Sequence, residues 1–183
     1  YNNHGVLNLA EYNATGGYNG GGAYYLINTT SWINSTEGKG LFDFNNSFSI
    51  SLWYKASVTS LAGSYGGLVT KYSGGANGFD FIISTGQARM TTRGASNIDC
   101  NGVRNILSDL SWHHIVTTSN FSDTLIFIDG KLDKTCTGTW TPAFNDFPLE
   151  IGNRNANLGS PNGTIDDIMI WNRQLSRQEA FNL

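Results

Sequence analysis

Charge is scarce in this chain of 183 residues. Asp and Glu number 14 and Lys and Arg 11, so charged side chains make up 14% of the sequence, against roughly 25% in an average soluble protein. No run of Lys or Arg occurs, and without a basic patch to neutralise phosphates, nucleic acid is excluded as a partner. Long apolar runs are missing too; none approaches the ~20 residues of a membrane-spanning helix. The two cysteines, Cys100 and Cys136, are too few and too far apart for a Cys-x-x-Cys metal or redox motif. Aromatic residues, in contrast, reach 13%, which excludes a disordered chain. The length suits one domain over residues 1–183, able to bury about 70% of its unfolded surface with no obligatory metal or disulfide.

The polar surface therefore comes from uncharged groups. The chain holds 21 Asn, 17 Ser and 17 Thr beside 22 Gly and 8 Tyr, a composition associated with all-β extracellular modules. Asn-x-Ser/Thr sequons stand at Asn13, Asn28, Asn34, Asn45, Asn120 and Asn162. About four are expected by chance from this Asn, Ser and Thr content, so the sequons permit glycosylation without demonstrating it.

Short alternating segments separated by Gly/Asn/Ser clusters have the spacing of a β-sandwich or barrel. In Phe48–Lys55, residues Phe48, Ile50, Leu52 and Tyr54 share one face, and Gly78–Ser84, Ala88–Arg93 and His113–Ser119 read the same way. Thr124–Ile128, Asp129-Gly130 and Lys131–Asp133 form the clearest hairpin, because Asp-Gly tolerates the positive φ of a type I′ turn. The glycines at 16–17 and 20–22 read as tight turns before a strand over Ala23–Ile27. One short helix is predicted at the end, where Ser176 and Glu179 make a capping box.

The second half carries an ordered set of motifs: Ser111-Trp112-His113-His114-Ile115-Val116, Leu125–Lys131 with its Asp129-Gly130 turn, Leu149-Glu150-Ile151-Gly152, and Gly163–Ser176 with Asp166-Asp167 and Trp171. With Phe48–Lys55 and Leu68-Val69-Thr70-Lys71 upstream, the chain resembles the laminin-G-like jelly-roll modules of the concanavalin A-like lectin/glucanase superfamily over essentially its whole length. The resemblance implies an all-β fold, a jelly-roll sandwich of two antiparallel sheets. It also implies that Trp53, Trp112 and Trp171 are packing residues and that Arg173 and Asp167 anchor the last strand.

Catalysis finds little support. A retaining glycan hydrolase of this superfamily needs two carboxyls about 5–5.5 Å apart, and none of Glu11, Glu37, Glu150 and Glu179 has the Glu-x-Asp-x-x-Glu neighbourhood of its glucanases. Asp166 and Asp167 are adjacent, so a strand would aim them at opposite faces. No Gly-x-Ser-x-Gly elbow is present. The chain is read as a non-enzyme. A structural calcium ion is an open expectation: Asp166 resembles a ligand position of relatives, and the competing reading has it capping a turn through loop amides.

Sugar binding needs an aromatic platform with planar polar groups around it. Asp80 lies opposite Phe79, Phe81 and Ile83 on its strand, and Arg89, Thr91 and Arg93 share a face of the next. These make Asp80, Arg89 and Arg93 the expected floor of a glycan site. Asn77, Asn97, Trp140, Tyr65 and Tyr72 would rim it, while the competing reading is an ordinary solvated Arg–Asp face. Cys100 and Cys136 fall on expected strands, read as neighbours of one sheet. A disulfide between them would add about 3–4 kcal/mol and imply an oxidising compartment; the alternative is two buried thiols.

The expectation is a non-catalytic, extracellular or cell-surface recognition module for glycan, serving adhesion or targeting. The alternative is a structural or assembly unit that meets other domains, copies or a matrix protein through Trp32, Trp140, Phe144 and Phe147.

Overall fold

A computed structural model describes residues 5–26, 31–35, 40, 42–61, 65–72, 74–75, 77–154 and 159–183. The chain runs through β1 (Gly5–Asn8), β2 (Glu11–Asn13), β3 (Ala23–Leu26), β4 (Trp32–Ser35), β5 (Phe48–Ala56), β6 (Tyr65–Tyr72), β7 (Gly78–Ser84) and β8 (Gln87–Ser96). It continues through β9 (Ile98–Asn105), β10 (Trp112–Ser119), β11 (Asp123–Ile128), β12 (Lys131–Thr137), β13 (Thr141–Pro142), β14 (Glu150–Ile151) and β15 (Gly163–Trp171) to α1 (Arg177–Phe181). Sheet 1 has the order β1-β4-β14-β6-β7-β8, with β13 and β9 both on β8; sheet 2 has the order β12-β11-β10-β5-β15-β3-β2. The strands pair antiparallel, and the two sheets form the expected jelly-roll sandwich.

The period of two sets what lies between the sheets. Phe48, Ile50, Leu52 and Tyr54 of β5 are fully buried there with Phe81 and Ile83 of β7 and Met90 of β8. The Asp129-Gly130 turn has φ of 51° and 73°, with Ile128 opposite Lys131, as a type I′ hairpin requires. Ser176 caps α1: its hydroxyl accepts from Glu179 N, and the Glu179 carboxylate accepts from Ser176 N.

Three expectations are corrected here. Trp53, Trp112 and Trp171 do pack, but on the outside of sheet 2. Trp53 stacks under Tyr18 at 3.3 Å between ring centroids, Trp112 meets the same ring edge-on, and Trp171 lies against Val116, Leu175 and Ala180 beneath α1. Trp140 is buried, because its loop folds over the end of the core, where the indole packs on Phe48 and donates Nε1–H to Arg93 O at 3.1 Å. Cys100 and Cys136 are bonded, with Cα atoms 5.5 Å apart, but β9 and β12 belong to different sheets, so the bridge ties the edges of the sandwich together.

Candidate functional site

The outer face of sheet 1 follows from register. Thr70 of β6, Asp80 of β7, Thr91 of β8 and Asp99 of β9 stand opposite one another in a row. Their chain neighbours Val69, Phe81, Met90 and Cys100 point into the core, so this row points out. Arg89 and Arg93 flank Thr91 on the same face.

Asp80 is fully buried on that face and gathers two guanidinium groups. Arg93 donates Nε–H to Asp80 Oδ2 at 2.7 Å, with Nη2 at 2.6 Å from the same oxygen. Arg154, from the segment after β14, donates Nε–H to Oδ1 and Nη2–H to Oδ2, each at 3.3 Å. A buried carboxylate is tolerable only when its lone pairs are matched in this way. Above it the cations meet rings: Arg93 lies 4.4 Å from the Tyr72 centroid, and Arg154 lies 4.7 Å from Tyr72 and 4.9 Å from Tyr65. Arg89 lies 5.9 Å from Tyr65 and pairs through Nε and Nη2 with Asp99, whose carboxylate also accepts from Thr91 Oγ1. The Arg89 hydrogen bonds hold the Asp99 carboxyl below its ordinary range, against the opposing cost of burial, and the same pairing pushes the Arg89 guanidinium up.

The structure thus brings together Asp80, Arg89 and Arg93, as the strand pattern predicts, with the expected aromatics Tyr65 and Tyr72 at the two ends of β6, and adds Arg154 and Asp99. Asp99 was legible, since it alternates with inward Ile98 and Cys100. No periodicity marks Arg154, which lies 74 residues from Asp80 in a non-strand segment. The tyrosines are not open platforms, because guanidinium groups lie over the rings where a sugar would stack. Asn77 donates to Phe144 O at 3.1 Å and Asn97 accepts from Gly94 N at 2.8 Å, so both fasten turns rather than rim a site. Lys71 is buried with its ammonium on Asp43 and Asn145 O, an internal anchor.

Asp166 ends on the outside of sheet 2, where β15 bulges. Its carboxylate accepts from Tyr18 N at 2.9 Å and Asp167 N at 2.8 Å. A Cβ on Gly17 would come within 2.5 Å of Oδ2, so the loop approaches only as glycine. Calcium takes six to eight oxygens. Both Asp166 oxygens face N–H donors, and no group of three His, Cys, Asp or Glu comes together among the described residues. These hydrogen bonds tie the loop down onto Asp166.

Nor do the described residues assemble a nucleophile. Ser51 Oγ lies 2.7 Å from His114 Nε2, but both side chains are buried and Asp129 meets the backbone N–H of His114 rather than its ring. His113 is held between Asp109 and Asp129 at 3.0 Å each. Of the sequons, Asn13 and Asn45 are exposed. Asn120 spends its amide on Gln174 Oε1 and on Ser122 N and Asp123 N; Asn34 keeps Oδ1 buried; Asn162 sits at φ 47°; Asn28 lies outside the described residues.

The Laminin G 3 family model, described as the concanavalin A-like lectin/glucanases superfamily, matches residues 19–180. No curated protein sequence matches the chain. Among solved structures, the binding domain of botulinum neurotoxin DC in complex with rat synaptotagmin II is similar at TM-score 0.75 and 16% identity, over 100% of this chain and 46% of that one. The binding domain of Paraclostridial Mosquitocidal Protein 1 is similar at TM-score 0.75 and 18% identity, over 99% and 47%. A structure of botulinum neurotoxin type C, whose cell entry depends on interaction with two ganglioside molecules, is similar at TM-score 0.74 and 16% identity, over 100% and 46%. The chain spans about half the length of these structures, and at such identities the likeness is one of fold.

Proposed function

The chain belongs to the concanavalin A-like lectin/glucanases superfamily, and from that premise we propose that it is a non-catalytic recognition module that binds carbohydrate, in an extracellular or cell-surface setting that serves adhesion or targeting. The observation that carries this reading is the Tyr65–Arg154–Tyr72–Arg93 assembly over buried Asp80. It fixes guanidinium and phenol edges on one face without committing them to a reaction. Sugar hydroxyls would meet these edges, since the ring faces are taken. The charges there serve one another: Asp80 is committed to two arginines and Asp99 to Arg89, which leaves neither of these carboxylates for acid–base work. The toxin structures of this fold, one tied to gangliosides and one in complex with synaptotagmin II, support a binding role for the architecture. A glycan array probed with the chain and with Arg154→Ala tests it. Saturable binding that falls at least about tenfold in the variant is expected; a flat array from folded protein overturns the reading.

A second reading, an assembly unit with a protein interface, is favoured by one observation. Val6 and Leu7 of β1, Tyr12 of β2 and Leu9 between these edge strands are exposed, Leu9 at 72%. Phe144 and Phe147 are exposed as that reading needs, whereas Trp140 is not available to it. Self-association that rises with concentration and disappears in Leu9→Asp would place the chain there.

A further inference from the structure

Sheet 2 carries a hollow of about 550 Å³ lined by Glu11, Asn13, Gly16, Tyr25 and Thr164, on the opposite side of the sandwich from the Arg–Tyr assembly. Its floor follows from register. Glu11 stands opposite Tyr25, Tyr25 opposite Thr164, Thr164 opposite Lys55, and Lys55 opposite Trp112. The alternate residues Ile165 and Tyr54 are buried in the core, so this row faces outward, with Tyr25 and Thr164 half-buried and Glu11 and Lys55 exposed. Its wall is the turn after β2, where Asn13 Oδ1 accepts from Thr15 N and Gly16 lies against the Asn13 side chain. That turn is held from beyond by the Asp166–Tyr18 hydrogen bond and by Tyr18 stacked on Trp53.

The charges here differ from those on sheet 1. Glu11 has no ion pair among the described residues, and it stands opposite Tyr25, over whose ring no described guanidinium lies. An aromatic ring, a carboxylate, a hydroxyl and an amide around one hollow of small-ligand size are what a pyranose asks for: one apolar face and a rim of hydroxyls that donate and accept. The one charged residue lining the hollow is Glu11, whose carboxylate sugar hydroxyls can satisfy. We propose that this hollow is a saccharide subsite for a single uncharged hexopyranose unit. The sugar lays its apolar face on Tyr25. The Glu11 carboxylate accepts from two neighbouring hydroxyls, and Thr164 and Asn13 donate to others. Asn13 also heads a sequon, so a glycan attached there would itself fill the hollow.

The subsite stands apart from the sheet 1 reading and is tested separately from it. Isotope-labelled chain from a host that does not glycosylate is titrated with methyl mannoside, methyl galactoside and N-acetylglucosamine at millimolar concentration, and backbone amide shifts are mapped. Shifts confined to Glu11–Gly16, Tyr25 and Thr164 are expected for at least one sugar. Affinity should fall about tenfold in Tyr25→Ala, should also fall in Glu11→Gln, which changes only an exposed side chain, and should be unchanged in Arg154→Ala. Shifts confined to Tyr72, Arg93 and Arg154 would overturn the subsite and leave the sheet 1 site standing. No shift with any of the three sugars would overturn the subsite, while the array decides sheet 1 on its own.

Discussion

The two outer faces of this sandwich solve the same problem with opposite chemistry. Each face of a two-sheet stack that turns away from the core must be solvated, covered or filled by its own side chains. Sheet 1 fills its face with charge: a fully buried carboxylate, three guanidiniums and two tyrosine rings in mutual contact. Sheet 2 covers its face with other parts of the chain. Leu175, just before helix α1, and Ala180 on it lie on Val116 and Phe127, and the glycine-rich turn lays Tyr18 on Trp53. At the far end Glu11 stays exposed and Tyr25 half-buried. A self-paired charged face is stiff and specific in its hydrogen-bonding edges, whereas a covered face depends on the anchors that hold its cover down.

Removing the centre of the charged face should have the largest effect. Asp80→Ala leaves Arg93 and Arg154 together without the anion that gathers them, and breaking a buried pair from one side costs about 3 kcal/mol. Urea unfolding measures this. A companion chain with Asp80→Leu, Arg93→Met and Arg154→Met should regain most of the loss, because replacing all the charges removes their desolvation cost as well. If Asp80→Ala proves neutral, the face is an ordinary solvated surface and the contrast with sheet 2 fails.

The covered face should respond to loss of an anchor by a smaller amount. Asp166→Ala deprives Tyr18 N and Asp167 N of their acceptor, at a cost of about 2 kcal/mol. The loss should be local: faster amide exchange over residues 16–22 and altered Trp53 fluorescence as Tyr18 unstacks, with the sheet 1 amides unchanged. Asp166→Asn keeps one acceptor and should cost less. Because the same turn walls the hollow at Asn13 and Gly16, Asp166→Ala should also weaken any sugar held there.

The strands were legible because their signal is local. The alternation of Phe48, Ile50, Leu52 and Tyr54 needs no partner to be seen, and Asp129-Gly130 announces its turn by the φ values it tolerates. The sides of β7 and β8 followed from the same period, which placed Asp80, Arg89 and Arg93 on one face. What the pattern could not carry was long-range. Arg154 reaches Asp80 from an irregular segment, and the rings of Tyr65 and Tyr72 stand in the expected place with cations already over them. Trp140 looked like a loop aromatic, yet its loop closes the core and its N–H has a backbone acceptor in Arg93. Cys100 and Cys136 were rightly paired and wrongly placed on one sheet, since nothing in either strand says which edges meet across the sandwich.

The smallest predicted effect separates the faces by pH. Burial pushes the His114 imidazole below its ordinary 6.5, opposed in part by the charge of Asp129. The unfolded chain therefore takes up this proton before the folded one does. The contribution of neutral His114 is present in full above 6.5 and is lost as pH falls through the unfolded value toward the lower folded one. On sheet 1, Asp99 is also shifted down, by the Arg89 hydrogen bonds rather than by burial, so its contribution is present above the ordinary carboxylate value of 3.8 and is lost only below it. Acidification from about pH 7 to 5 should thus loosen the His114 side of sheet 2, where Ser51 Oγ and Trp53 meet the ring, and leave the Arg89–Asp99 pair intact. The urea midpoint of the wild-type chain should fall over that range more than that of His114→Gln, while Asp99→Asn should track the wild type until the carboxylates titrate. Parallel curves for wild type and His114→Gln would show that the covered face is no more sensitive to acid than the charged one.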